Sequence, residues 1–217
     1  GESTWQVMQA KKAVQAEWET EATAESTAAH LEQFASVFSK GKGEVARQDG
    51  DPDAAFANAD TVIERTYFGS FLAHNTLEPM NFFADVKADS ARLIGPIQTP
   101  EALRGSAAAM LNIPEDNIHV DMTRMGGGFG RRLYGNFGLE AAAISQKIGA
   151  PVKLIYTRED DMTQGTYRPS YTLKYKAALD ADKNLTAFEV QGSGIPSSPV
   201  FADRYPAGTL ANYRAEN

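Results

Sequence analysis

The 217-residue sequence contains no cysteine. A chain without thiols cannot form a disulfide, ligate an iron–sulfur cluster or hold zinc through thiolates. Histidine is also scarce, because the three present, His30, His74 and His119, lie far apart in the sequence and form no H-E-x-x-H pair. The sequence therefore shows no motif through which this chain would bind a metal ion directly.

Basic charge is in deficit, since 21 Lys and Arg residues stand against 28 Asp and Glu residues, a net charge of −7. Nucleic-acid binding depends on a basic surplus that displaces counterions, so we expect no nucleic-acid partner. Long apolar runs are missing too, and we expect no membrane span. GESTW at the N-terminus has none of the regions of a signal peptide. The abrupt ending at NYRAEN leads us to expect a piece of a longer polypeptide.

The first quarter of the chain predicts two helices and a linker. Ser3 followed by Gln6 fits a capping box, which predicts a helix over residues 4–16. Apolar residues at i, i+3, i+4 and i+7 predict a second helix over residues 26–38. The polar, glycine-bearing segment 39–53 is the best candidate for a linker.

The rest of the chain mixes strands with helices. Composition and alternation predict strands at 61–68, at NFFADV and ARLIG as a hairpin, at NIHVDMTR, at VKLIY as a buried strand, and at 171–179 and 185–192. Two helices are predicted with Thr99 and Asn136 as N-caps, and Gly149 ends the second. The apolar face of that second helix is predicted to be Phe137, Ala141, Ile144 and Ile148. We therefore expect an α+β fold of mixed sheets with packed helices.

A glycine-rich segment, RMGGGFGRRLYGNFG, lies between the NIHVDMTR strand and the helix that follows. A glycine loop in this position can present backbone N–H groups to an anion. Both common nucleotide signatures fail, because Arg131 and Arg132 follow Gly130 where a P-loop needs Lys and Ser or Thr, and Arg131 replaces the last glycine of G-x-G-x-x-G. Spacing alone leaves a tight turn and a ligand site equally open.

The loop also resembles a known family. R-M-G-G-G-F-G after a strand is similar to the molybdenum-binding subunit of the xanthine dehydrogenase and aldehyde oxidase family, and GGGFGRR resembles the isoquinoline 1-oxidoreductase β-subunit type. Further segments resemble the family in the same order: WQVMQAKKAVQAEWE, GDPDAAFANADTVIERTY, FLAHNTLEPMNFFADV, IQTPEALRGSAAAMLNIPEDNIHV and KLIYTREDDMTQGTYRPSY. With the linker, the resemblance implies that residues 1–45 are the helical tail of a preceding lobe and that 46–217 are part of a molybdenum cofactor-binding domain.

The resemblance implies roles for individual residues. In the family, the Phe-Gly of the loop reaches the molybdenum–pterin cofactor, and a glutamine lies beside an oxygen ligand of the metal. The matching cofactor-binding residues of this chain are Gln98, Gly127, Gly128, Phe129 and Gly130. Arg168 is the nearest match to an arginine that lines the substrate pocket, although Pro169 follows it without the residue that intervenes in the family. Amide donors suit an oxo ligand, and an arginine can stabilise charge that develops in a transition state.

The resemblance also implies what lies outside this chain. The general-base glutamate of a G-x-G-E segment is absent, and electrons would leave through a separate [2Fe–2S] subunit. The cofactor implied is the cytosine dinucleotide form of the molybdenum–pterin. Leu133 stands where purine oxidisers have a glutamate, which favours an aldehyde or an N-heteroaromatic substrate, hydroxylated with oxygen from water. We expect the isolated chain to lack bound cofactor and activity.

Each of these residues also has a structural interpretation. Gln98 could simply precede a helix cap, and Arg168 could pair with the acidic run 158–161, which is typical of a solvated helix start. We interpret His74 as a structural residue of a buried turn and Glu78 as a supporting residue near the pocket. Two other functions stay open: a phosphate- or nucleotide-binding module that uses the loop and the arginine pair, and a structural or interaction domain without catalysis.

Overall fold

The computed structural model describes residues 1–17, 19, 26–40, 44–163, 167–194 and 209–216. The helices are α1 (Thr4–Ala13), α2 (Thr27–Ser39), α3 (Pro52–Ala57), α4 (Pro100–Leu111), α5 (Asn136–Ile148) and α6 (Arg158–Thr163). The strands are β1 (Glu44–Asp49), β2 (Thr61–Gly69), β3 (Asn81–Val86), β4 (Ala91–Gly95), β5 (Ile118–Met122), β6 (Val152–Ile155), β7 (Tyr171–Leu179), β8 (Leu185–Gly194) and β9 (Thr209–Glu216). This arrangement confirms the expected α+β class.

Two mixed sheets organise the described residues. The first has the strand order β1-β9-β8-β7-β2, in which β1 and β9 are parallel and the other pairs antiparallel. The second has the order β5-β4-β3-β6, in which β4 and β5 are parallel and the predicted β3–β4 hairpin is antiparallel. The glycine loop follows β5, and it therefore leaves the second sheet at an edge strand.

The main core lies between the second sheet and helices α4 and α5. Side chains of β3 alternate between half-buried and buried positions, as the period of two along a strand requires. Phe82 of β3 meets Phe137 of α5 edge to face, with ring centroids 5.6 Å apart, and Leu103 of α4 is buried in the same cluster. Burying one such side chain stabilises the fold by about 1.5–3 kcal/mol. This core therefore packs β3 and β4 against α4 and the start of α5.

Gly95 at the end of β4 leaves room for the Phe82 ring. A Cβ at Gly95 would lie 2.3 Å from a ring carbon of Phe82, which is itself buried in the core. Because the ring cannot give way, we expect Gly95→Ala to lower the free energy of unfolding by about 1–3 kcal/mol. Urea denaturation measures this change.

The matched control for that substitution is Gly105→Ala in α4. The nearest atom to a Cβ there is a carboxylate oxygen of Glu115 at 3.8 Å, an ordinary contact. Alanine is the better helix former, so we expect the control to raise the free energy of unfolding by up to about 1 kcal/mol. Equal effects of the two substitutions would contradict the assigned close approach at Gly95.

The residues that were predicted to begin or end helices are confirmed at some helix ends and wrong at others. The Ser3 hydroxyl accepts a hydrogen bond from the Gln6 N–H, as predicted, and Gly149 ends α5 in the left-handed region with φ +66°. Thr99 occupies the N-cap position of α4, as predicted, but its side chain makes no capping hydrogen bond, because its hydroxyl donates to the Leu133 carbonyl at 3.0 Å. Asn136 is the first residue of α5 rather than its N-cap, and its side chain accepts a hydrogen bond from Arg131.

Two burial predictions are wrong. Ile144 and Ile148 of α5 are 41% and 59% exposed, because the helix packs through an arc shifted towards its smaller residues, which allow a close approach to the sheet. The buried residues of α5 are Phe137, Gly138, Ala141, Ala142 and Ser145. VKLIY is not a buried strand either, since β6 is an edge strand whose Lys153 and Ile155 are exposed.

The segment 39–53, predicted as a linker, contains regular structure. β1 lies within it and pairs with β9, and α3 begins at Pro52. The partner strand comes from more than 160 residues further along the chain, which no local pattern could indicate. The division at residues 45 and 46 stays a prediction.

Among the described residues, no helix is both long and apolar enough to cross a bilayer.

Candidate functional site

The glycine loop, defined here as Gly126–Gly130, has an unusual backbone. Gly127 and Gly130 adopt φ values of +99° and +93°, and Phe129 between them adopts +49°. A left-handed φ at a residue with a side chain stores on the order of 1–3 kcal/mol of strain, and such strain concentrates at functional sites. The Phe129 side chain is also 64% exposed. The loop therefore holds a bulky apolar residue in a strained and solvent-facing position.

The N–H groups of the loop are available to a ligand. Within the described part of the chain, residues 127–130 make no hydrogen bond through their N–H groups to another residue, whereas the Gly126 N–H donates to Glu78 Oε2 at 2.8 Å. Successive backbone donors without an internal acceptor form a concave site for anionic oxygen. The loop thus has the chemistry of an anion or oxo-ligand cradle.

Gln98 lies directly against the loop. Its backbone N–H donates to the Arg132 carbonyl at 3.0 Å, and its side chain is exposed. A Cβ at Gly128 would lie 2.8 Å from Gln98 Oε1, so the missing side chain at this position is what admits the carboxamide. The resemblance implies that both residues belong to one site, and the structure brings them together.

Arg168 reaches the loop from the segment that precedes β7. Its Nη2 donates to the Phe129 carbonyl at 2.9 Å, and its backbone N–H donates to the Leu72 carbonyl at 2.8 Å. The alternative pairing with the acidic run is not what the described residues show, because Asp160 pairs with Lys11 and Asp161 pairs with Arg158. All six residues assigned to the site by resemblance therefore lie at one place.

The Arg132 side chain binds the loop from the interior of the protein. Its side chain is fully buried, and its Nε donates to the Gly127 carbonyl at 2.7 Å. Its Nη1 donates to the Pro96 carbonyl at 3.3 Å, and its Nη2 donates to the carbonyl and to Oε2 of Glu78 at 2.9 and 2.8 Å. Glu78 thus contacts both the loop and Arg132, while its supporting role near a substrate pocket stays a prediction. The position of Arg132 behind the loop was missed. No local signal could have shown it, since its partners outside the loop lie far away in sequence.

The two arginines are not available to a phosphate in the loop. Arg131 and Arg132 are 2% and 0% exposed, and Arg131 donates to Asn136 and lies 5.5 Å over the Phe137 ring. Burial lowers the pKa of both guanidinium groups, and the Glu78 carboxylate opposes this shift at Arg132. The hypothesis that the arginine pair grips a phosphate is therefore wrong, because both side chains point into the protein.

The remaining candidate residues differ in their surroundings. The His74 ring lies 3.8 Å from the position of a Cβ at Gly130, so it packs beneath the loop. The run 158–161 starts α6 as predicted, although Asp161 is buried and not solvated. Leu133 is half-exposed beside the loop. Among the described residues, no group of three or more His, Asp or Glu side chains could hold a metal ion.

A comparison with known families decides the identity of the domain. The sequence profile described as "molybdopterin cofactor-binding domain" matches residues 37–194. The chain belongs to this family. The matched range includes the glycine loop, Gln98 and Arg168 of this molybdopterin-binding domain, and it confirms the family part of the resemblance.

Curated relatives of this molybdopterin-binding domain carry different names. Membrane-bound aldehyde dehydrogenase (pyrroloquinoline-quinone) of Gluconacetobacter polyoxogenes is 33% identical over 158 residues, 72% of this chain and 20% of that protein. Isoquinoline 1-oxidoreductase subunit beta of Brevundimonas diminuta is 36% identical over 138 residues, 62% of this chain and 18% of that protein. Nicotinate dehydrogenase large molybdopterin subunit of Eubacterium barkeri is 30% identical over 148 residues, 67% of this chain and 34% of that protein. The chain thus spans about a fifth to a third of these relatives.

Solved structures share the fold of the molybdopterin-binding domain. Quinoline 2-oxidoreductase from Pseudomonas putida 86 matches with a TM-score of 0.61 and 20% identity, over 78% of this chain and 24% of that chain. Aldehyde oxidoreductase from Desulfovibrio gigas matches with a TM-score of 0.63 and 20% identity, over 77% of this chain and 20% of that chain. At this level of identity the likeness establishes the fold.

Proposed function

We propose that this chain forms part of the cofactor site in the large subunit of a molybdenum hydroxylase, which oxidises an aldehyde or an N-heteroaromatic compound. The observation that carries the proposal is the set of N–H groups of residues 127–130, which have no acceptor within the described residues and lie beside the carboxamide of Gln98. A negatively charged, oxygen-rich cofactor fits donors of this kind. The names of the relatives support the substrate class, since they include an aldehyde, isoquinoline and nicotinate.

The residues of the site would have two roles, namely binding of the cofactor and stabilisation of charge on the reacting substrate. The loop N–H groups and the Gln98 amide would hydrogen-bond to oxygen atoms of the cofactor and its metal. The Arg168 guanidinium, which lies at the Phe129 carbonyl, would face the substrate and stabilise charge that develops during the reaction. When bound, the cofactor supplies the metal centre at which the substrate is hydroxylated with oxygen from water. The general base would come from outside this chain.

Five finer assignments belong to the same proposal. The GGGFGRR loop supports the isoquinoline 1-oxidoreductase β-subunit type, and Leu133 supports a substrate other than a purine. The cofactor would be the cytosine dinucleotide form. Electrons would pass to a [2Fe–2S] subunit, because this chain has no cysteine and relatives are named as subunits of larger enzymes. The isolated chain would lack cofactor and activity.

Gly128→Val tests the proposal. A valine side chain would displace the Gln98 carboxamide and cover the loop N–H groups, so we expect the molybdenum content of the enzyme containing this chain to fall at least tenfold. The unfolding midpoint should stay close to that of the wild type, because the displaced atoms are the end of an exposed, flexible side chain. Metal analysis and thermal unfolding of the same preparation give the two values.

The control for Gly128→Val is Gly105→Ala, which lies on α4 and should leave the molybdenum content unchanged. Full molybdenum content in Gly128→Val would contradict the assigned cofactor contact. Saturable binding of a simple nucleotide by a wild-type enzyme that takes up no molybdenum would instead support the nucleotide-binding alternative.

A further inference from the structure

The glycine loop is held in place by two charged residues behind it. Arg132 binds the loop at the Gly127 carbonyl, and it ties the loop to Pro96 at the end of β4 and to Glu78 before β3. Arg132 itself lies outside the loop surface and is fully buried. Its hydrogen bonds thus join three segments that are remote from one another in the sequence.

Glu78 forms two hydrogen bonds with Gly126, the first residue of the loop. Its Oε2 accepts a hydrogen bond from the Gly126 N–H at 2.8 Å, and its own N–H donates to the Gly126 carbonyl at 3.2 Å. The same Oε2 accepts a hydrogen bond from Arg132, and Oε1 accepts one from Asn81 at 3.1 Å. A Cβ at Gly126 would lie 2.6 Å from the Cβ of Glu78, so this glycine is required by the contact.

We propose that Arg132 and Glu78 form a positioning pair that holds the Gly127 carbonyl inward, so that the N–H groups of residues 127–130 stay turned towards the cofactor. The identity of the ligand rests on the proposed function, whereas the control of the loop backbone does not. Both residues act through the backbone of the loop, and the pair gives a reason for the buried guanidinium of Arg132, two positions after the loop.

The chemistry of the two side chains suits this task. A guanidinium presents donors in a fixed planar fork, so one side chain can serve several carbonyls at set angles, and a lysine ammonium cannot reproduce that fork. The Glu78 carboxylate balances the buried charge, and its loss would leave the Arg132 cation without a counter-charge. Replacing either partner should therefore loosen the loop while the core of α4 and α5 stays folded.

Hydrogen exchange of the enzyme containing this chain tests the pair with Arg132→Lys and Glu78→Gln. The Arg131 and Leu133 N–H groups report on the loop, because they donate to the Gly128 and Gly130 carbonyls at 2.8 and 3.2 Å. We expect their exchange to become about tenfold faster in both variants, while exchange within α5 accelerates by a smaller factor. A purely structural contribution would speed both regions in proportion.

The matched controls are Arg104→Lys and Glu115→Gln, whose side chains form an exposed ion pair at 3.0 Å. Neither control should change exchange in the loop. Unchanged loop exchange in Arg132→Lys and Glu78→Gln, or equal acceleration in the loop and in α5, would overturn the proposal.

Molybdenum content provides the second measurement. We expect it to fall in Arg132→Lys and Glu78→Gln and to stay at the wild-type value in the two controls. A wild-type enzyme without molybdenum, combined with faster loop exchange in both variants, would refute the proposed function and leave the positioning of the loop in place. Full molybdenum content in variants with a loosened loop would refute the link between loop geometry and cofactor binding.

Discussion

Replacing Arg132 with methionine is expected to lower the free energy of unfolding by about 3–5 kcal/mol. Methionine is long enough to fill much of the space, but it donates no hydrogen bond. The carbonyls of Gly127 and Pro96 would lose their donor, while the Glu78 carbonyl would keep its hydrogen bond from the Thr76 hydroxyl. Each buried polar group left without a partner costs about 1–3 kcal/mol. Urea denaturation monitored by circular dichroism measures the loss.

Arg104→Met is the matched control for this prediction. Arg104 also pairs with carboxylates, those of Glu101 and Glu115, but its side chain is 39% exposed. Solvent-exposed ion pairs contribute about 0–1 kcal/mol, so the control should change the free energy of unfolding by less than that. If Arg132→Met also lowered the free energy of unfolding by less than about 1 kcal/mol, the hydrogen bonds of Arg132 would contribute little to stability. The importance assigned to them here would then be wrong.

The parts of the fold that local chemistry controls could be predicted from the sequence. The β3–β4 hairpin has its apolar residues at every second position, and the structure forms it as expected. Helices α2, α4 and α5 begin and end within a few residues of their predicted limits, because caps and glycine stops act over one turn. These elements need no information from distant parts of the chain.

The failures share a physical cause, namely partners that are remote in sequence. β1 has a polar composition and becomes a strand through pairing with β9. β6 has the composition of a buried strand but lies at the edge of its sheet, and that position depends on the strand order. Ile144 and Ile148 fit the apolar period of α5, yet small residues direct the packing of that helix elsewhere.

The candidate site was predicted by resemblance and not by local pattern. Gln98, the glycine loop and Arg168 are separated by up to 70 residues, and spacing alone left the loop equally open as a turn or a ligand site. The structure adds the contacts that make the loop a single unit, from Glu78 and Arg132 beneath it to Arg168 at its Phe129 carbonyl. It also removes the arginine pair from the list of ligand-binding groups.

Arg168→Met is expected to lower kcat by about 10²–10³-fold, the range observed when one preorganised donor to a developing negative charge is removed. Arg168 is exposed beside the loop, and its Nη2 is held at the Phe129 carbonyl, 2.9 Å away. Its cation is thus fixed at the edge of the proposed site before substrate arrives. Steady-state kinetics of the enzyme containing this chain, with an aldehyde or an N-heteroaromatic substrate, measure the effect.

The division of the effect between kcat and KM tests what Arg168 does. A group that stabilises charge only in the transition state lowers kcat and kcat/KM together, whereas a group that merely binds substrate raises KM and leaves kcat unchanged. Arg92→Met is the control, because Arg92 is an exposed arginine that pairs with Asp121, and it should alter neither constant. Molybdenum content should stay at the wild-type value in Arg168→Met, since Gln98 and the loop N–H groups remain. A raised KM at constant kcat would reassign Arg168 to substrate binding, and a loss of molybdenum would reassign it to the loop.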